Sequence, residues 1–365
     1  MGAPLLEIEN LRTYFHSRSK RAFIRAVDGV TMAIARGKTL SVVGESGSGK
    51  SVTALSIMGL LNAGPGVISG KIAFRTDGGE RNLLHGLERY VTLGKQAGRI
   101  MEVSKNEAGW RQNVERIMAG VRGKEIAMIF QNPKSALNPF VTVGHQITEA
   151  IRLHTPTKHP REAKERSLYW LERVKMDSPR LRFDNYPYGL SGGMCQRAMI
   201  AMALSSEPAL LIADEPTTGL DATIQSTIVG LLAELKSELG IATLLISHDI
   251  RVVSRLADDV AVMYGGTVVE YGPAPEILGA GFGLKHPYTA ALLASRPSVQ
   301  NVQENGGLPA IDGEVPDPIE VPRGCRFYAR CNRVTDGIRD RCERREPELK
   351  EVTPGHQVRC WLYLD

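Results

Sequence analysis

Gly44-Glu45-Ser46-Gly47-Ser48-Gly49-Lys50-Ser51 fits the pattern of a phosphate-binding loop, and its surroundings fit as well. Before it runs Thr39-Leu-Ser-Val-Val43, a short apolar stretch suited to a buried strand; after it, Ser51 to Leu61 has the apolar spacing of a helix. Glycines let the backbone turn so that several N–H groups face one phosphate, and the helix N-terminus adds a favourable dipole. In this pattern Lys50 reaches the β- and γ-phosphates and the Ser51 hydroxyl is a candidate Mg²⁺ ligand. The candidate nucleotide contact therefore runs through Gly44, Glu45, Ser46, Gly47, Ser48, Gly49, Lys50, Ser51 and Val52.

The partner motif lies far along the chain, in Leu210-Leu-Ile-Ala-Asp214-Glu215. Asp214 at a strand's C-terminal end is the candidate to hold Mg²⁺ through water. Glu215, one residue on, points to the other face and is the candidate to polarise the attacking water. Strands are also expected over Leu5 to Leu11, Ala26 to Ile34 and Ala242 to Ile246, with a helix over Thr223 to Leu239. Strands alternating with helices imply an α/β fold with a largely parallel sheet covered on both faces.

The chain has 365 residues, 42% of them hydrophobic, enough for a large core. With 45 basic and 40 acidic residues the formal net charge is +5, too mild to argue for nucleic acid. No window approaches the roughly 18 uncharged apolar residues of a spanning helix. Met1 to Asn10 carries Glu7 and Glu9 and lacks a signal peptide's apolar core, so a cytosolic chain with reduced cysteines is expected. Gly70 to Lys124 reads as a small, partly helical insertion with Trp110, Val114, Ile117 and Met118 on one helix face. Pro297, Pro309, Pro316, Pro318 and Pro322 give residues 296–324 the composition of a linker.

Leu190-Ser-Gly-Gly-Met-Cys-Gln-Arg197 closely resembles the signature sequence of ABC ATPases, and it stands before Asp214 as that family's motif order requires. The motif also reads as a helix N-cap at Ser191 followed by two glycines. The resemblance implies that Ser191, Gly192 and Gly193 bind the γ-phosphate held by an opposite subunit. It implies further that Phe15 stacks on adenine, with Tyr14 as the fallback and core packing open for both. Gln131 in Met-Ile-Phe-Gln-Asn-Pro resembles the glutamine that touches Mg²⁺ and water, Asp221 the residue that crosses the dimer interface, and His248 the switch histidine at the γ-phosphate. Cys195 sits in the signature helix and is expected to ligate nothing.

The likeness is closer still to the ATPases of dipeptide, oligopeptide and nickel importers. Gln131-Asn-Pro-Lys-Ser-Ala-Leu-Asn-Pro139, Ala213-Asp-Glu-Pro-Thr-Thr-Gly-Leu-Asp221 and His286-Pro-Tyr288 all fit. The implied fold is a P-loop ABC ATPase core: a mostly parallel sheet with helices, an N-terminal antiparallel β part and a helical subdomain. A small cysteine-rich C-terminal extension follows. The implied domains are a nucleotide-binding domain over residues 1–280, with the insertion at 70–124 and the helical subdomain at about 131–205, and the extension over 281–365. The implied activity is ATP hydrolysis powering import of peptides or related small solutes, nickel and oligosaccharide included, with ATP and Mg²⁺ as cofactors. The implied partners are a second ATPase subunit in a heterodimer, two transmembrane permease subunits and, indirectly, an extracytoplasmic solute-binding protein, with no nucleic acid. The implied location is the cytoplasmic face of a prokaryotic inner membrane. An ABC ATPase of DNA repair or translation is the alternative, but such chains usually carry two nucleotide domains or a long coiled coil.

Cys325, Cys331, Cys342 and Cys360 follow the linker with spacings x5, x10 and x17. Four thiols in a cytosolic tail invite a metal, and the spacing lacks the paired Cys-x2-Cys knuckles of zinc ribbons. The family's C-terminal motif implies a [4Fe–4S] cluster; zinc and metal-free structural thiols stay open. Eight arginines between Arg323 and Arg345 suit the negative charge of a thiolate-bound cluster.

Overall fold

The computed structural model describes residues 2–17, 19–96, 99–279, 283–295 and 311–364. The chain forms two compact units: Met1–Leu5, Ile34–Thr39 and Ile117–Ser247 make the first, and Leu6–Ala33, Leu40–Arg116 and His248–Asp365 the second.

In the first unit three parallel strands pair side by side, β8 (Ile126–Ile129), β9 (Leu210–Asp214) and β10 (Ala242–Ile246). Ala242 faces Leu210 and Ile246 faces Asp214, so the register carries Asp214 to the end of the ladder. β8 and β9 are buried at every position, as near-continuous apolar runs in a covered parallel sheet should be. The helices are α3 (Pro133–Ala136), α4 (Val143–His154), α5 (Pro160–Arg173), α6 (Pro179–Phe183), α7 (Gly192–Leu204) and α8 (Ala222–Leu239). Their apolar faces join one core with the strands, including Ile147, Trp170, Leu171, Ile200 and Ile228.

The second unit contains a sheet in the order β2-β1-β4-β5, from β1 (Leu6–Ser17), β2 (Ala22–Ile34), β4 (Pro65–Thr76) and β5 (Gly79–Asn82). β1 pairs antiparallel with β4, and β4 with β5. Its other strands run in the order β13-β14-β12-β11-β3. These are β3 (Thr39–Val43), β11 (Asp259–Tyr264), β12 (Thr267–Pro273), β13 (Lys350–Thr353) and β14 (His356–Val358). β11 is parallel to β3 and antiparallel to β12. The helices here are α1 (Lys50–Met58), α9 (Ile250–Leu256), α10 (Ala274–Leu278), α11 (Pro287–Ala294) and α12 (Asp336–Arg344).

The insertion is more β-rich than its composition suggests. β6 (Val91–Gln96) and β7 (Arg99–Lys105) form a hairpin, and the expected helix follows as α2 (Glu107–Met118). Trp110, Val114 and Met118 are buried and Ile117 partly so, as the spacing required. Of the linker, residues 296–310 lie outside the described residues; 311–324 form neither helix nor strand.

Candidate functional site: a phosphate loop and its carboxylate partners

β3 delivers the chain into the glycine loop, and α1 leaves from it. Gly44, Gly47 and Gly49 have φ of 152°, 79° and 100°, values that L-residues with a Cβ rarely adopt. Space enforces the same choice: a Cβ on Gly44 would lie 2.2 Å from the Met263 carbonyl oxygen, and one on Gly49 2.3 Å from that of Ala26. Lys50 folds back over the loop, donating to the carbonyls of Gly44 at 2.8 Å and Glu45 at 2.9 Å and to the Ser48 hydroxyl at 3.4 Å. Such a loop gathers backbone donors and one ammonium around a small volume, the arrangement that cradles a phosphate.

Two contacts on this loop come from residues given no role there by the sequence. The Glu45 N–H donates to the Tyr288 hydroxyl at 2.8 Å. Arg330, its side chain 4% exposed, reaches both Glu45 carboxylate oxygens at 2.8 and 3.2 Å. Tyr288 had been visible in His286-Pro-Tyr288; Arg330 carried no signal, since a salt bridge across so many residues leaves no spacing to read.

Tyr14 and Phe15 alternate along β1. Tyr14 is buried and its hydroxyl donates to Asp28 at 2.7 Å; burial, then the Asp28 charge, pushes its ionisation far up. It is thereby withdrawn as the adenine-stacking fallback. Phe15 is half-buried, opposite Pro65 of β4.

In the first unit Asp214 is 6% exposed at the end of β9. Glu215 follows at φ 47°, with its N–H bonded to the Ile246 carbonyl at 2.9 Å. A non-glycine residue at positive φ costs about 1 kcal/mol or more and is worth a functional explanation. Here the turn re-aims the carboxylate, which accepts from Gln131 Nε2 at 2.9 Å and Thr218 Oγ1 at 2.8 Å. Gln131 and Glu215 are therefore brought together by a hydrogen bond, and Thr218, given no role by the sequence, joins them. Asp214, Gln131 and Ser51 offer hard oxygen donors of the kind Mg²⁺ takes.

Ser191 caps α7, its hydroxyl accepting from Met194 N–H at 3.3 Å. Asp221 caps α8 in the same way, accepting from Ile224 N–H at 2.9 Å. The signature glycines also have a packing reason: a Cβ on Gly193 would stand 2.9 Å from Ile224 Cγ2. Cys195 is buried and bonds the Pro187 carbonyl, and burial raises its thiol pKa, in keeping with an inert residue. In the second unit His248 is exposed, next to Asp249, which caps α9 by accepting from Arg251 N–H at 2.8 Å.

Cys325, Cys331, Cys342 and Cys360 all line one cavity, shared with Phe327, Ile338 and Trp361. Sulfur donors suit iron–sulfur or zinc in kind. Among the described residues, however, no group of three or more His, Cys, Asp or Glu is placed to hold a metal ion, so the expected coordination sphere is not met. Burial, ahead of the mutual proximity of the thiols, pushes Cys325 and Cys360 up to about 12, so a metal taken here would have to displace their protons.

Residues 27–218 match the family described as ABC transporter, and residues 269–337 the one described as oligopeptide/dipeptide transporter, C-terminal region. The chain is 41% identical over 359 residues to the oligopeptide transport ATP-binding protein AppD of Bacillus subtilis, covering 98% of this chain and 97% of that one. It is 41% identical over 357 residues to a probable peptide ABC transporter ATP-binding protein of Sinorhizobium fredii, covering 98% and 94%. A putative peptide import ATP-binding protein of Brucella abortus is 40% identical over 361 residues, covering 98% and 96%. Among solved structures, a dimeric bacterial ABC transporter cassette superposes with a TM-score of 0.56 at 24% identity over 73% of this chain and 98% of that one, a likeness of fold. The cbiO1 component of a cbiONQ transporter complex from Clostridium perfringens gives a TM-score of 0.54 at 26% identity, covering 76% and 92%. Among the described residues no helix is long and apolar enough to cross a membrane.

Proposed function

The chain belongs to the ABC transporter family, whose ATP hydrolysis is coupled to transport, and on that premise we propose that it powers the import of peptides. The observation that carries this reading is the glycine loop with Lys50 folded over it, in a chain aligned almost end to end with proteins named for peptide import. Nothing observed favours the alternative of a repair or translation ATPase.

The roles follow from the chemistry of each residue. Gly44 to Val52 hold the α-, β- and γ-phosphates through backbone N–H groups, and Lys50 leaves its carbonyl partners for the β- and γ-phosphates. Ser51, Asp214 and Gln131 hold Mg²⁺, which when bound neutralises charge developing on the phosphates. Glu215, oriented by Gln131 and Thr218, takes the proton of the attacking water. His248 donates to the γ-phosphate, and Phe15 stacks on adenine. Ser191, Gly192 and Gly193 cover the nucleotide of an opposite ATPase subunit, and Asp221 lies at that dimer interface. We assign a sister chain as that subunit, two permeases as membrane partners on the cytoplasmic side of a prokaryotic membrane, and a solute-binding protein outside. Residues 1–280 serve as the nucleotide-binding domain and 281–365 as its extension.

The four cysteines are assigned to a [4Fe–4S] cluster, with zinc as the alternative, on their convergence on one cavity and their soft donors. Iron, sulfide and zinc contents of anaerobically purified protein test this apart from the ATPase: absence of all three removes the assignment.

Glu215→Gln tests the main reading. It keeps ATP binding, loses turnover and traps a nucleotide-bound dimer; unchanged hydrolysis would remove Glu215 from the base role. Peptide uptake by the complex reconstituted with its permeases, lost with Glu215→Gln, tests the cargo.

A further inference from the structure

The insertion hairpin carries none of the residues assigned to the nucleotide, yet it forms one wall of a cavity of about 350 Å³ within the second unit. Its remaining walls come from β1, β2, Ser69 of β4 and the chain around Val321, Arg326 and Glu346. Five cations line this space, Arg12, Arg25, Lys95, Arg99 and Arg326, against two carboxylates, Asp28 and Glu346.

Both carboxylates are already engaged. Asp28 accepts from Arg12 at 3.2 Å, Tyr14 at 2.7 Å and Arg326 at 2.8 Å, while Glu346 accepts from Arg326 at 3.0 Å. Arg25, Lys95 and Arg99 make no ion pair among the described residues. Arg25 donates from Nη2 to the Ile100 carbonyl at 3.3 Å and lies 5.8 Å from the Tyr14 ring centroid, while its Nε is buried without a hydrogen-bond partner. Arg99 donates to the carbonyls of Val321 at 3.3 Å and Pro322 at 2.6 Å. Carbonyls satisfy N–H groups without cancelling charge. Like charges gathered in a partly enclosed space of reduced dielectric repel one another, and an anion among them is correspondingly well held. Burial, and next to it the charge of Arg25, lowers the pKa of Arg99, with the Glu346 carboxylate opposing the shift.

We propose that this cavity binds a small organic polyanion, carrying two or more carboxylate or phosphate groups, between Arg25, Arg99 and Lys95. Two guanidinium forks suit bidentate recognition of either group. Three uncompensated cations call for more than one negative charge. The cavity falls within the range of small-molecule sites, roughly 300–1,000 Å³, and Leu93, Ile100 and Val321 supply apolar wall for a carbon frame. Because Arg99 and the Val321–Pro322 carbonyls already join hairpin to tail, an occupant fastens the insertion to the C-terminal region.

The test is titration calorimetry on the full chain without magnesium, using citrate, pyrophosphate and neutral glycerol. A Lys50→Ala background removes phosphate binding at the nucleotide loop. Citrate or pyrophosphate should saturate one site in that background, weaken with salt, and leave glycerol inert; the stronger probe shows whether carboxylates or phosphates are read. Arg99→Gln should weaken binding about tenfold or more. Lys95→Gln, exposed and without structural bonds, should weaken it by several-fold, roughly 3 to 10, with an unchanged melting temperature. The proposal fails if neither anion saturates by about 10 mM, or if Lys95→Gln and Arg25→Gln both bind as the parent does.

Discussion

Arg330 grips both carboxylate oxygens of Glu45, tying the segment between Cys325 and Cys331 to the phosphate loop. The same guanidinium donates to the Tyr264 hydroxyl at 3.2 Å, and its own pKa is raised first by the bond to Glu45. Tyr288 holds the Glu45 backbone from another side, and Tyr264, Tyr288 and Phe327 pack ring against ring. The C-terminal region is thus part of the support of the nucleotide loop.

Arg330→Gln removes a nearly buried cation and leaves the Glu45 carboxylate without its fork. The loop should lose order before the fold does. KM for ATP should rise roughly three- to tenfold with kcat little changed, and stability should fall by about 1–2 kcal/mol. Steady-state ATPase kinetics and urea unfolding measure both, and Arg330→Lys should recover only part of the loss because one ammonium cannot span two oxygens.

Gly49→Ala places a methyl group 2.3 Å from the Ala26 carbonyl oxygen at a φ of 100°. Backbone sits on the other side of that clash, so no side chain can swing away. The expected cost is about 2–4 kcal/mol of stability together with loss of nucleotide binding. A thermal melt with and without ATP checks it: the variant should melt lower and gain nothing from nucleotide.

The phosphate loop and the Asp214-Glu215 strand end were legible because their chemistry is local, with glycines and charges at fixed offsets beside apolar runs. β3, β9, β10 and α8 followed from the same runs to within a residue or two. What was not legible is held by partners distant in the chain. The β6–β7 hairpin has Thr92, Lys95, Gln96, Met101 and Glu102 exposed, so its alternation is faint, and it is read as irregular until Arg99 meets Val321 and Pro322. β13 and β14 are 4 and 3 residues long and owe their place to β12, where buried Glu270 holds His356 at 2.8 Å. Glu45 could be named as a loop residue, but its pairing with Arg330 could not.

Gln131→Ala removes one hydrogen bond that orients the Glu215 carboxylate while Thr218 keeps another. The proposed base should be misaimed, not lost. Turnover should fall about tenfold or more with nucleotide affinity changed far less, whereas Glu215→Gln should abolish turnover. Single-turnover hydrolysis compared with nucleotide-binding titrations separates the two effects.

Lys105 provides a pH signature for the insertion. It is half-buried, donates to the Pro65 and Val67 carbonyls, and lies over the Trp110 ring at 5.5 Å. Burial brings its pKa from 10.5 down to about 8, with Glu107 opposing the shift. Below pH 8 both folded and unfolded chains hold the proton, and the full penalty of burying the charge is present. Between pH 8 and 10.5 the folded chain releases a proton that the unfolded chain keeps, so stability from this group rises with pH across that window and no further. The stability of the native chain relative to Lys105→Met should therefore grow by about 2 kcal/mol between roughly pH 7.5 and pH 10. Urea unfolding of both proteins at the two pH values reads the difference directly, and a constant gap would show that Lys105 keeps its charge in the fold.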